Sequence, residues 1–165
     1  MVMGFITEVD QWAARCVSDS QWVADCLHRL YRFGGQHPES TVCRHSLEVW
    51  WMCQGLTPAE QLWALVHDVH EILSGEITRH FKARETSERQ HQADVVLRNA
   101  LGISDVNLSA VHVADVAHGQ QEWKALEKFN AGEITRRQLD GTYRDCWHAA
   151  THEWVDKFET LRGEL

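Results

Sequence analysis

Residues 57–75, TPAEQLWALVHDVHEILSG, constrain the fold more than any other stretch of the chain. Thr57-Pro58-Ala59-Glu60 supplies an N-cap hydroxyl, a proline at the first helical position and a capping-box glutamate. Ser74-Gly75 ends the segment. Between these signals the spacing predicts one apolar helix with His67, Asp68 and Glu71 on a shared face. A histidine nitrogen and an adjacent carboxylate on such a helix can both hold a divalent metal, and a glutamate one turn on can reach a water at that metal. The preceding helix, capped by Ser40 or Thr41 and running to about Gln54, stops at Gly55. Helices joined by so short a connection are antiparallel neighbours. His45, near the start of one, can therefore meet His67, near the end of the other, which makes His45 a candidate ligand.

The remaining sequence reads as further helices. Only two prolines occur and no alternating strand pattern stands out, so an all-α fold is expected, in one domain covering residues 1–165. A short helix is expected over residues 1–17. Ser18, Asp19 or Ser20 then caps QWVADCLHRLYRF, whose stripe of Trp22, Val23, Cys26, Leu27, Leu30 and Tyr31 runs to a stop at Gly34-Gly35. Arg32, just before that stop, is either a solvated helix-end cation or a phosphate clamp. Residues 85–101 form a polar amphipathic helix with Val95, Val96, Leu97 and Leu101 inward and Gly102 as its stop. Ser104 or Asp105 begins a long helix that breaks at Asn130-Ala131-Gly132. Within it, Asp115 stands among aliphatic neighbours, where coordination or a salt bridge would offset the cost of burying a carboxylate. Glu122 lies two turns on, on the same face. A last helix spans roughly 142–162, packing through Tyr143, Trp147, Trp154, Val155, Phe158 and Leu161.

Charge and composition narrow the function classes. A net charge of −8 argues against a broad nucleic-acid-binding face. No apolar stretch approaches the roughly 20 residues that span a bilayer, and the N-terminus lacks the pattern of a signal peptide. The five cysteines, Cys16, Cys26, Cys43, Cys53 and Cys146, form no C-x-x-C pair and read as buried reduced thiols of a cytoplasmic protein.

In order, the candidate ligands are His45, His67, Asp68 and Asp115, an H…HD…D pattern. With RFGG (32–35), TVCRHSLEV (41–49), LVHDVHEILSGEI (65–77), FK (81–82) and ADVAHGQQE (114–122), the chain resembles the HD-domain metal-dependent phosphohydrolases. The likeness is greatest to small phage and bacterial deoxynucleotide phosphohydrolases, and it covers about residues 20–125.

The resemblance implies a compact helical bundle with those four residues as ligands to a divalent transition metal (Zn, Mn, Co or Fe), and Mg with the substrate phosphates. It implies that Glu71 positions or deprotonates the attacking water and that Arg32 and Lys82 contact phosphates. Gly35, in the Gly34-Gly35 turn, allows close backbone approach to the nucleoside, and Phe33 or a tryptophan is placed to stack on the base. His70 and Glu76 are further candidates for the chemistry; Glu76 stands where bacterial relatives read Asp. Arg44 replaces a glutamate common before the first ligand histidine, and an added cation would suit a triphosphate.

The implied activity is hydrolysis of dATP to deoxyadenosine and triphosphate in a phage with 2-aminoadenine DNA. A 5′-deoxynucleotidase acting on monophosphates is the enzymatic alternative, and a non-catalytic metal-stabilised nucleotide-binding module is the alternative of another class. The implied partners are the deoxynucleotide and other copies of the chain, as a dimer or hexamer, with neither nucleic acid nor membrane.

Overall fold

A computed structural model of the chain describes residues 2–37, 39–77, 82–143 and 149–165, with side chains from residue 8 onward. The described residues form an all-α bundle: α1 (Val2–Ser18), α2 (Ser20–Arg29), α3 (Val42–Met52), α4 (Pro58–Val66), α5 (Glu71–Ser74), α6 (Arg84–Leu101), α7 (Leu108–Asn130), α8 (Arg136–Asp140) and α9 (Ala150–Gly163). The α3 helix lies at the centre, packed against α2, α4, α7 and α9, and every residue from Val42 to Trp50 is buried. Antiparallel packing of α3 and α4 follows from the short Cys53–Thr57 connection, as the sequence predicts. No described helix is long and apolar enough to cross a membrane.

Local chemistry sets the helix boundaries. Asp19 caps α2, Thr41 caps α3 and Asn107 caps α7, each accepting a backbone N–H of the first turn. Thr57 and Glu60 form the reciprocal capping box expected for α4. This cap supports the element that carries the site without touching the site itself. Thr57→Ala should therefore cost about 1 kcal/mol and lower the thermal midpoint by about 2–4 °C, with metal content unchanged; calorimetry and elemental analysis together check both halves.

Several boundaries depart from the sequence expectation. The α2 helix ends at Arg29 rather than running to Phe33, because the chain turns extended and Tyr31 bridges to Thr41. Backbone bonds from Arg32 N to Ser40 O (2.8 Å) and from Val42 N to Leu30 O (2.9 Å) close the intervening loop. Phe33, Gly34 and Gly35 are all left-handed, with φ of 54°, 63° and 74°. Glycine accepts that conformation, whereas phenylalanine is strained in it. The α7 helix starts at Leu108, a turn later than expected, since Asn107 rather than Ser104 or Asp105 supplies the cap. Val95 of α6 is exposed while Leu97 and Leu101 are buried, since successive residues cannot all share one helical face. The α9 helix begins at Ala150, not near Thr142, and the short α8 precedes it. Trp147 and Cys146 lie outside the described residues.

The core is continuous from α1 to α9. Trp154 and Phe158 of α9 stack with ring centroids 5.1 Å apart, and Trp154 donates its indole N–H to Leu65 O at 3.2 Å. Burying one such tryptophan contributes about 4–6 kcal/mol of transfer free energy. This ties α9 to α4. Cys16, Cys26, Cys43 and Cys53 are unpaired thiols, and burial pushes Cys16 and Cys43 up to about 12.

Candidate metal centre

The predicted helix 57–75 is broken where its ionisable residues begin. The α4 helix stops at Val66, and Ala64 O accepts from Nδ1 of His67 at 2.8 Å. A side chain that takes a carbonyl in this way competes with the helical backbone bond to the same oxygen. The chain then tightens: Val69 N bonds Val66 O, Glu71 N bonds Asp68 O, Ile72 N bonds Val69 O and Leu73 N bonds His70 O, at 2.9–3.1 Å. Each of these spans three residues rather than four. Side chains three apart then eclipse, which aligns Asp68 with Glu71 and His67 with His70.

His45, His67, Asp68 and Asp115 do converge. One ligand atom from each lies within 4.8 Å of the others. His45 Nε2 is 3.1 Å from Asp115 Oδ1 and 3.7 Å from Asp68 Oδ2. His67 Nε2 is 3.4 Å from Asp68 Oδ2 and 3.7 Å from Asp115 Oδ1. Four donors each about 2.1 Å from one tetrahedral ion would stand roughly 3.4 Å apart, so the spacing fits a single cation. His67 Nε2 is buried without a hydrogen-bond partner among the described residues. At 3.7 Å the Asp115 oxygen is too distant to serve.

The rings are also oriented as ligands. A carbonyl accepts from Nδ1 of His67, so Nε2 is the nitrogen that faces the carboxylates. His45 is fully buried, and its Nδ1 lies 3.0 Å from Glu122 Oε2 and 3.0 Å from Nδ1 of His118. Acceptors at Nδ1 fix the tautomer that presents Nε2, the usual outer-shell support of a metal-bound imidazole. Two nitrogens and two carboxylate oxygens suit Zn, Mn, Fe or Co.

Behind the ligands lies a buried polar layer that the sequence reading did not assign. Glu122 pairs its charge with Arg32, whose Nε lies 3.2 Å from Oε2, and its Oε1 accepts from the Tyr143 hydroxyl at 2.6 Å and from Ser40 Oγ at 3.2 Å. Burial opposes its charge, but Arg32 and His45 outweigh burial and hold its carboxyl well below the usual range. Burial pushes His118 down to about 4, so it is neutral near pH 7 and accepts at Nδ1. Asp115, His118 and Glu122 follow the same spacing on α7 as buried Val111, Ala114 and Leu126. That helical stripe was the available signal for His118.

The other predicted residues are distributed unevenly. Arg32 is buried, not solvated: Nη1 lies 3.5 Å from Asp68 Oδ2 while Nε faces Glu122. Burial works against its charge, and Glu122 and Asp68 more than restore it. Glu71 is buried beside Asp68 and His70, and its Oε2 has no hydrogen-bond partner among the described residues. Burial and the charge of Asp68 raise its pKa well above the ordinary glutamate value. Glu76 is half-buried and also raised by burial, with Arg32 and Lys82 opposing. Lys82, half-buried, acts on Glu71 and Glu76 through its charge. Phe33 is half-buried, with its ring centroid 5.7 Å from that of the exposed Trp123 and Arg32 Cζ 5.3 Å above it. Gly35 lies on the exposed part of the same loop. Arg44 is buried, bonded to Glu39 at 2.7 Å and placed over the Tyr143 ring at 4.5 Å. Phe81, of the FK pair, lies outside the described residues. No protein-family model matches the chain, and no curated protein matches it.

Protons and metal compete for the same atoms. Burial disfavours a charged His67, but Asp68 and Asp115 outweigh it and raise its pKa to about 10. Without a cation, His67 is thus protonated at neutral pH and must lose that proton to coordinate. Mn²⁺ affinity should therefore rise between about pH 6 and pH 9, by about tenfold per pH unit for each proton displaced. Calorimetric titration across that range checks this; a flat profile would remove His67 from the ligand set.

Proposed function

We propose that the chain is a metal-dependent phosphohydrolase of the HD type that converts dATP to deoxyadenosine and triphosphate. One observation carries the metal-dependent part: two buried imidazoles, each with Nδ1 at an acceptor, present Nε2 to the same pair of carboxylates. The HD-type motif supports the class of reaction, and dATP is the substrate that the resemblance implies.

An ion held by His45, His67, Asp68 and Asp115 would polarise a phosphoryl oxygen and make water more acidic. Glu71 stands next to this set with an oxygen that has no partner among the described residues, placed to take a proton from such a water. Water attacks the α-phosphorus, the bond from that phosphorus to the 5′ oxygen breaks, and the departing oxygen leaves as a hydroxyl. Arg32, kept charged by Glu122 and Asp68, and Lys82 offset charge on the phosphates. Phe33 offers a ring face to the base.

A second reading has an observation of its own. Arg44, the extra cation that would favour a triphosphate, is occupied by Glu39 and Tyr143. That favours a 5′-deoxynucleotidase, whose substrate carries less charge. Chromatography of products from dATP and dAMP with Mn²⁺, Co²⁺ or Zn²⁺ separates the two. The triphosphohydrolase should yield deoxyadenosine and inorganic triphosphate in one step, with ¹⁸O from labelled water on the triphosphate. Faster turnover of dAMP, or release of dADP from dATP, would replace it with the monophosphatase.

A further inference from the structure

Beside the four-ligand set, two buried side chains point polar atoms at Asp68 that no other group uses among the described residues. His70 is 7% exposed and Glu71 is 5% exposed, and His70 Nε2 and Glu71 Oε2 have no hydrogen-bond partner. Asp68, His70 and Glu71 each bring a ligand atom within 4.8 Å of the others. Their meeting follows from the tightened turns after Val66, which stack residue 71 over residue 68 and carry residue 70 inward.

His70 is prepared in the same manner as His45 and His67. Its Nδ1 lies 2.8 Å from Asp94 Oδ1 of α6. The carboxylate at Nδ1 holds the ring so that Nε2 is the nitrogen directed inward. Two buried polar atoms without partners among the described residues, meeting a carboxylate at one point, make a poor hydrogen-bonded core. A cation resolves all three at once. The contacts of Asp68 with Arg32, His45 and His67 run through Oδ2.

We propose that Asp68, His70 and Glu71 form a second divalent-cation site, which shares Asp68 with the first and is oriented by Asp94. The proposal rests on the reading that the first site holds a metal. One imidazole with two carboxylates suits a transition metal such as Mn²⁺ better than Mg²⁺, which prefers all-oxygen shells. Asp94 is a positioning residue, acting on the ion only through His70.

The test is Mn²⁺ stoichiometry and spectroscopy on the full chain, with no substrate present. Wild type should bind two Mn²⁺ per chain and show the paramagnetic resonance signature of a magnetically interacting pair. His70→Ala should bind one, with an isolated-ion spectrum and an unchanged helical circular dichroism signal. Asp94→Asn should still bind two but weaken the second about 10–100-fold. A wild-type chain that saturates at one ion, or a His70→Ala chain that still takes two, overturns the proposal. Should His70→Ala lose its helical signal, Asp94→Asn carries the test, and an unchanged second affinity overturns the proposal. Asp115→Ala separates the two sites, since Asp115 belongs only to the first. One ion in wild type that Asp115→Ala removes leaves the first centre standing and sinks the second. No ion in wild type sinks both.

Discussion

Asp68→Ala should give a folded, helical protein that retains no metal and shows no measurable turnover. Asp68 is the carboxylate that both His45 Nε2 and His67 Nε2 approach, at 3.7 and 3.4 Å, and it is also a partner of Arg32. Its removal opens the four-donor set and leaves Asp115 as the single carboxylate facing two histidines. The fold should survive because Asp68 lies outside the apolar core that joins α3, α4 and α9, and because Arg32 keeps Glu122. Elemental analysis after gel filtration measures the metal, and circular dichroism measures the fold. A variant with full metal content would refute the ligand assignment, whatever its activity.

Glu71→Gln separates proton transfer from capture of the ion in the four-ligand set. The amide keeps the size of the carboxyl group and removes its ability to take a proton. Turnover should fall about 10²–10⁴-fold, the usual range for loss of a positioned general base. The ion held by His45, His67, Asp68 and Asp115 should remain, because Glu71 is not among those donors. Single-turnover rates beside metal analysis make the comparison. Near-normal kcat in this variant would transfer the proton-handling role to Glu76 or His70.

The parts legible in the sequence were those set by local chemistry. The capping box at Thr57 and Glu60 and the antiparallel pair α3–α4 follow from neighbouring residues, and so does the meeting of His45 with His67. Asp115 stood out because a carboxylate among valines and alanines needs a reason. The parts that were not legible depend on contacts between distant segments. Arg32 stayed open between a solvated helix-end cation and a phosphate clamp because nothing nearby shows that the helix stops at Arg29 and that the guanidinium meets Asp68 and Glu122. Asp94 reaches His70 from another helix across 24 positions, and Tyr143 reaches Glu122 across 21. The break after Val66 escaped notice for another reason. The helical period and capping signals were correct, but His67 takes a main-chain carbonyl and so shortens the helix it belongs to. Arg44 shows the reverse error: a position beside a ligand in sequence points its charge to Glu39 and Tyr143.

The loop closed by the Tyr31–Thr41 bridge has a consequence for how such a chain can change over generations. Its closure uses main-chain groups of Leu30, Arg32, Ser40 and Val42, which are indifferent to side-chain identity. Only its ends, Arg32 and Ser40, are tied to Glu122. Residues 34–36 between them are exposed and touch none of the four ligands. Heritable variation can therefore accumulate at this rim, limited mainly by the need for left-handed backbone at Gly34 and Gly35, while the inherited centre stays intact. Descendants of this chain can diverge in what they admit to the centre long before they diverge in how they hold an ion.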